Sequence, residues 1–380
     1  MLRDSVTSKP GRAACKTGAR PTRQETTEVP SVTLKDIARE TGFHVSTVSR
    51  ALDPRAKSAL TEQVVQKVTE AAERMGYRPN RLAAGLRTKR TKTIGVVIPD
   101  ITNPLFPPIV RGIEKVIEPL GYVSIIVNTD SRRDREKSQV GVLLERGVDG
   151  IIHAAVERDD PVLDEIRRAG VPLVTVNRAL EDPAIPAILN DDADGIARMV
   201  AHLVENGHSR IAHIAGPEQL STGIDRLAAF RAAALAHGLD VPEYHIARAT
   251  RLNEDEGRRC AEALLSLARA PTAILAANDR LALGAFEAIR EMGLSCPEDV
   301  SVTGFNDYDF LRLIPPGLTT VRVDKQTAGR RSAELVIRLI EEPDSPGETR
   351  IILPVEAVFR GSVAAPRTTR SEPEQRAGVA

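Results

Sequence analysis

From residue 93 to residue 361 the chain alternates short β-branched runs with longer amphipathic stretches, and no other feature restricts its fold so tightly. Residues 94–98, 123–127, 150–152, 173–176, 210–214, 273–276 and 300–303 read as buried parallel strands. Helical stretches follow them, for example over residues 109–120, 134–146 and 193–206. Such alternation implies βαβ units with helices on both faces of a parallel sheet. About 270 residues is long for one sheet of this kind, so two α/β lobes holding a ligand between them are expected.

Ahead of this body lies a different pattern. Leu34, Ile37 and Ala38 recur at helical spacing, and the small Ala38 admits a second helix. Gly42 falls where a tight turn needs positive φ. Val45, Val48 and Leu52 form a second apolar stripe, which leaves His44, Ser46, Thr47, Ser49 and Arg50 on or beside the outward face. Hydroxyls followed by an arginine suit a major-groove helix, because hydroxyls bond phosphates or bases and arginine forks onto guanine. A third helix follows, with Thr61 as N-cap, Val64, Val65, Val68 and Ala72 inward, and a stop at Gly76. Periodicity alone leaves a DNA reader and a plain three-helix bundle equally open.

Charge separates them. The chain holds 52 Lys+Arg and 52 Asp+Glu, yet residues 1–92 hold 19 basic and 9 acidic side chains. A basic head on an acidic body is the footprint of a nucleic-acid-binding module attached to something else.

Other classes are disfavoured by pattern. No apolar run reaches membrane-spanning length, and the N-terminus lacks the apolar stretch of a signal peptide. Cys15, Cys260 and Cys296 are widely spaced, which argues against a disulfide framework or structural zinc and fits a reducing cytoplasm. There is no Gly-x-Ser-x-Gly elbow, phosphate loop or His-Glu-x-x-His helix, so no catalytic residue, metal or cofactor is expected. His202, His208 and His213 read as structural, and Asp191, Asp192 and Asp194 as a cap for the following helix. Residues 1–30 read as a disordered arm and 362–380 as a disordered tail.

Seven strings in order now bring a family into view. They are Thr-Val-Ser-Arg-Ala-Leu (47–52), Gly-Tyr-Arg-Pro-Asn (76–80), Thr-Ile-Gly-Val-Val-Ile-Pro-Asp-Ile-Thr-Asn-Pro-Leu-Phe (93–106) and Gly-Val-Asp-Gly-Ile-Ile (147–152). Then come Asn-Gly-His-Ser-Arg-Ile-Ala-His-Ile-Ala-Gly (206–216), Ala-Asn-Asp-Arg-Leu-Ala-Leu-Gly-Ala (277–285) and Pro-Pro-Gly-Leu-Thr-Thr-Val-Arg-Val-Asp (315–324). Over residues 31–362 the chain resembles the lactose/galactose-repressor (LacI/GalR) family of bacterial transcriptional regulators.

The resemblance implies an α/β protein with an all-α helix-turn-helix head (31–78), a hinge helix and linker (79–92), and a two-lobed body with parallel sheets like a periplasmic binding protein (93–361). In the head it implies base contacts from Val45, Ser46 and Arg50, and phosphate or supporting contacts from Thr33, His44, Thr47 and Ser49. In the hinge, which orders on DNA, it implies contacts from Asn80, Leu82, Ala83, Leu86 and Arg87, with Leu86 as an apolar wedge in the minor groove. For the cleft it implies effector contacts from Phe106, Asn177, Arg178, Thr222, Arg226, Leu252, Asn278 and Asn306.

Five positions depart from the family pattern. His44 stands where a small hydroxyl is usual, Ala84-Gly85 replaces a frequent Arg-Ser, Leu252 replaces a stacking aromatic, and Asn306 replaces an Asp. Asn offers donor and acceptor together where Asp only accepts. Two arginines and several asparagines suit a sugar, a sugar phosphate or a sugar acid, with a neutral sugar the family's usual choice.

The expectation is therefore a cytoplasmic, homodimeric repressor of double-stranded operator DNA, responsive to a sugar or related metabolite. A transport-type sugar-binding protein would lack the basic head and carry a signal peptide. An α/β enzyme with an accessory DNA domain would need a catalytic constellation.

Overall fold

The computed structural model describes residues 32–52, 60–77, 90–344 and 347–367. It divides into two compact units, Met1–Arg81 and Leu82–Ala380. The expected arm, the loop at 53–59 and the hinge residues Asn80, Leu82, Ala83, Leu86 and Arg87 lie outside the described residues.

In the first unit, helices α1 (Leu34–Thr41), α2 (Val45–Ala51) and α3 (Glu62–Arg74) close around Ile37, Val48, Ala51, Val68, Ala71 and Ala72. Gly42 ends α1 at φ 75°, a left-handed position open to glycine without steric cost. Thr61 is the N-cap residue of α3, as its sequence position suggests. Arg74 reaches Glu40 at 3.1 Å and so ties α3 to α1.

The second unit has two lobes. The first is built from β1 (Thr93–Ile98), α4 (Phe106–Ile117), β2 (Val123–Asn128), α5 (Arg133–Glu145), β3 (Gly150–His153), α6 (Val162–Arg168), β4 (Leu173–Val176) and β5 (Ala187–Asn190). The second contains α7 (Asp192–Glu205), β6 (Ile211–Ala215), α8 (Ser221–Ala236), β7 (Ile246–Arg248), α9 (Glu254–Leu265), β8 (Ala273–Ala276), α10 (Asp279–Glu291), β9 (Ser301–Asn306) and β10 (Thr319–Val323). The chain then returns to the first lobe with α11 (Lys325–Glu341) and β11 (Arg350–Leu353), and crosses again to β12 (Val355–Val358). The two sheets run β11-β5-β4-β3-β1-β2 and β12-β10-β9-β8-β6-β7. Three connections therefore join the lobes: Asn190 to Asp191, Val323 to Asp324, and Pro354 between β11 and β12.

Several sequence expectations shift. The second sheet is not wholly parallel, since β12 pairs antiparallel with β10. Only Pro354 separates β11, parallel to β5 in the first sheet, from β12, antiparallel to β10 in the second. β2 is an edge strand with Val123 and Ile126 exposed, so the expectation of a buried strand at 123–127 fails there. α4 begins at Phe106 rather than 109, because Pro107 and Pro108 fall in the first turn, where a missing N–H costs no helical bond.

β5, β7, β10, β11 and β12 are not among the strands expected from the sequence, because short runs become strands only when a neighbour supplies the ladder. Residues 362–367 are not a loose tail. Ser362 is fully buried, its Oγ donates to Val302 O at 2.6 Å, and Ala364 O accepts from Ser301 Oγ at 3.2 Å. Likewise residues 90–92 are held by the body rather than free as linker: Arg90 Nη2 donates to Ile340 O at 2.8 Å and Thr91 N–H to Asp149 Oδ1 at 2.7 Å.

Backbone approach sets the position of α4. A Cβ on Gly112 would lie 2.2 Å from Gln326 O, and one on Gly329 would lie 2.0 Å from Ile109 O. Only glycine at both places lets α11 seat against α4, whose first residue is Phe106. The histidines do packing work. His208 contacts Thr272 Oγ1 at 2.9 Å and Ser301 Oγ at 3.0 Å, while His213 Nδ1 meets Leu275 O at 2.8 Å.

Candidate functional site

The strand ends of both lobes face a cleft of about 480 Å³. The first lobe contributes Asp100, Asn103, Asp130, Glu157 and Arg178, and the second contributes Gln219, Leu220, Arg251, Asn253 and Arg280, among others. Next to it is a narrow pocket of about 20 Å³ that shares Asn103, Arg178 and Leu252 with the cleft and forms its floor. Phe106, Asn177, Arg178, Thr222, Arg226, Leu252, Asn278 and Asn306 all line this floor. The positions that the resemblance singled out are thus brought together from both lobes, and none falls elsewhere.

Local structure explains how each arrives. Asn177 follows β4 with φ 68°, and Asn306 ends β9 with φ 122°, two turns that aim a side chain off a strand end. Asn278 caps α10, its Oδ1 accepting from Leu281 N–H at 2.9 Å, so its amide N–H₂ is the group left for a ligand. Thr222 lies in the first turn of α8 and Arg226 one turn further on.

The arginines differ sharply. Arg226 donates Nε to Asp192 Oδ2 and Nη2 to Asp192 Oδ1, both at 3.0 Å, and Nη1 to Ala277 O at 2.6 Å, while its guanidinium sits 3.7 Å from the Phe305 ring centre. Burial raises the Asp192 carboxyl above its ordinary range, with Arg226 pulling the other way. Asp192 is therefore the counter-ion of Arg226, whereas Asp191 supplies the cap by accepting from Asp194 N–H at 3.0 Å. The expected aspartate cap is thus present, with Asp191 as the N-cap and Asp192 and Asp194 in the first turn of α7, and Asp192 is in addition the counter-ion of Arg226. Arg178 donates Nη1 to Ala155 O at 3.1 Å, and its buried Nε has no partner among the described residues. Burial lowers its guanidinium to about 10, with Glu136 and Glu157 opposing that fall.

Two bridges cross the cleft that residue patterns did not single out. Tyr308 Oη donates to Asn103 Oδ1 at 2.9 Å, and Arg280 Nη1 donates to Asp100 Oδ2 at 2.8 Å while its other nitrogens hold Glu254. Both Asp100 and Asn103 belong to the 93–106 string and Arg280 to the 277–285 string, so the signal was present without a role attached. Asn306 donates weakly to Tyr308 Oη at 3.4 Å and its buried Oδ1 accepts nothing among the described residues.

In the head, His44, Ser46 and Arg50 are exposed and Val45, Thr47 and Ser49 half-buried along α2. His44 takes the place of the usual hydroxyl as N-cap, its Nδ1 accepting from Ser46 N–H at 3.3 Å and lying 2.8 Å from Ser46 Oγ. The exposed Thr33 is the N-cap residue of α1, and both its N–H and its hydroxyl donate to Asp36, at 2.9 and 2.7 Å.

Comparison with known proteins gives the following. Residues 33–80 match the family model of bacterial regulatory proteins of the lacI family, and residues 200–363 match that of the periplasmic binding protein-like domain. The chain is 31% identical to the HTH-type transcriptional regulator RegA of Clostridium saccharobutylicum over 87% of its own length and 99% of that protein. It is similar to the Lac repressor dimer bound to operator and the anti-inducer ONPF, with a TM-score of 0.77 and 28% identity over 88% of this chain and 100% of that one. A LacI family transcriptional regulator from Enterococcus faecium with bound ribose matches with a TM-score of 0.63 and 30% identity, over 72% of this chain and 99% of the other.

Proposed function

This chain belongs to the lacI family of bacterial regulatory proteins, and on that premise we propose that it is an effector-responsive repressor. Acting as a homodimer in the cytoplasm, it binds pseudo-palindromic operator DNA through α2, since operator symmetry mirrors protein symmetry. Val45, Ser46 and Arg50 read bases, while Thr33, His44, Thr47 and Ser49 position the backbone. Asn80, Leu82, Ala83, Leu86 and Arg87 complete the contact from the hinge.

A small hydroxylated molecule binds between the lobes on the floor residues named above. The observation that carries this reading is their convergence: eight positions scattered from Phe106 to Asn306 line one pocket. Because three connections join the lobes, a ligand touching both alters their relative setting. It changes operator affinity only by its differential binding to the two settings.

The test is selection of bound sequences from random duplexes, followed by fluorescence anisotropy on the selected site. A two-fold symmetric site and a loss of at least tenfold in specific affinity for Arg50→Ala are expected, with non-specific binding less affected. Binding without sequence preference would overturn the reading.

A further inference from the structure

The floor of the cleft contains two guanidinium groups and no carboxylate among its lining residues. Only one of the two is closed by an ion pair. Arg226 is closed by its bidentate pair with Asp192 and by the Phe305 ring. Arg178 makes no ion pair among the described residues, is 6% exposed, and keeps a buried Nε without an acceptor. Two carboxylates, Glu136 and Glu157, act on it through their fields without bonding to it. Glu136 Oε1 lies 2.9 Å from His153 Nε2, and Glu157 Oε2 accepts from Arg133 Nε at 2.6 Å.

His153 Nδ1 accepts from Ala155 N–H at 3.2 Å, which leaves Nε2 to carry the ring proton, and neither Nε2 nor Glu136 Oε1 has a hydrogen-bond partner among the described residues. A buried guanidinium donor without an acceptor is costly, and a carboxylate matches its planar donors.

The rest of the floor fits the remainder of such a ligand. Asn306 is neutral and so does not repel an anion, and its open Oδ1 accepts a hydroxyl. Asn278 offers amide hydrogens. The wider cleft beyond is polar, with Asp100 held by Arg280 and Asp130 by Arg135, so its acids are largely balanced. Arg251, exposed at the mouth, adds a second positive charge.

Resting on the reading that this cleft holds the effector, we propose that the effector is a sugar acid, its carboxylate on Arg178 and its hydroxyls on Asn177, Asn278 and Asn306. A phosphomonoester dianion would meet only one guanidinium free of an ion pair in the narrow floor, whereas a carboxylate is matched one to one.

Calorimetric titration of the full-length protein with D-gluconate, D-glucuronate and D-galacturonate tests this, beside D-glucose, D-galactose and glucose 6-phosphate. At least one acid should bind ten times tighter than any neutral sugar or the phosphate. Asn306→Asp should weaken that acid at least tenfold, because it sets a carboxylate against the ligand. Arg178→Lys should weaken it as well.

A neutral sugar or the phosphate binding more tightly overturns the proposal and leaves the cleft reading standing. Acid binding that survives both substitutions also overturns it, by moving the acid away from Arg178. No binding by any of the six compounds overturns the proposal and the sugar-cleft reading together.

Discussion

Arg226 and Asp192 form a bidentate ion pair, two bonds of 3.0 Å with both side chains largely buried, at the inner wall of the cleft. The pair joins α8 to the start of α7, next to one of the three connections between the lobes. Asp192→Ala leaves a buried guanidinium without its counter-ion, a change that costs about 3–5 kcal/mol in such sites. Asp192→Ala with Arg226→Met should recover much of that loss, since two apolar groups leave no charge stranded. Urea unfolding of the four proteins gives the coupling directly, and additive losses would show that the pair does not act as a unit.

A second prediction concerns backbone packing. α9 and α10 dock through glycine, and a Cβ on Gly284 would lie 2.0 Å from Glu254 O and 2.5 Å from Arg258 N. Both atoms are backbone and have no rotamer to move. Gly284→Ala should therefore destabilise by at least the roughly 1–3 kcal/mol typical of overpacking, despite alanine's better helix propensity. It should also move Asn278 and Arg280, which α10 carries to the cleft, so effector affinity falls with stability. A gain in melting temperature would contradict the packing described.

The third prediction is a pH dependence. Burial lowers His213 to about 4, although the bond to Leu275 O favours its charged form. A histidine depressed in the folded state supports stability above its unfolded value near 6.5, and that support is lost as pH falls from there toward 4. About 3 kcal/mol is at stake over this window.

Asp279 acts with the opposite sign. Burial raises it to about 6, so its contribution is present at low pH and lost as pH rises through that value. The measurement is accordingly a difference: His213→Leu should lose less stability than the parent between pH 6.5 and 4.5 in urea titrations. Parallel curves would contradict a buried neutral His213.

Much of the site was legible before any coordinates. The strings around 93–106, 206–216 and 277–285 identified the family, and every cleft position drawn from it lines the floor pocket. What those strings did not reveal is which side chains are already occupied. Arg226 and Arg178 look interchangeable in sequence, but a partner 34 positions away in the chain closes one of them. Thr33 and His44 similarly read as contacts for DNA, and in the fold both lie at helix starts, where Thr33 bonds Asp36 and His44 accepts from Ser46.

The amino-acid sequence by itself determined the elements that local physics dictates: the helix-turn-helix with its glycine at φ 75°, the long buried strands, and a basic head on an acidic body. Only the tertiary structure decided the edge and crossing strands, the seating of residues 362–367, the antiparallel β12 and the pairing of Arg226 with Asp192. The reason is range. Periodicity and turn chemistry act over a few residues, whereas ladder partners, counter-ions and backbone-to-backbone contacts come from segments tens to hundreds of residues apart, and their geometry exists only once the sheets have formed.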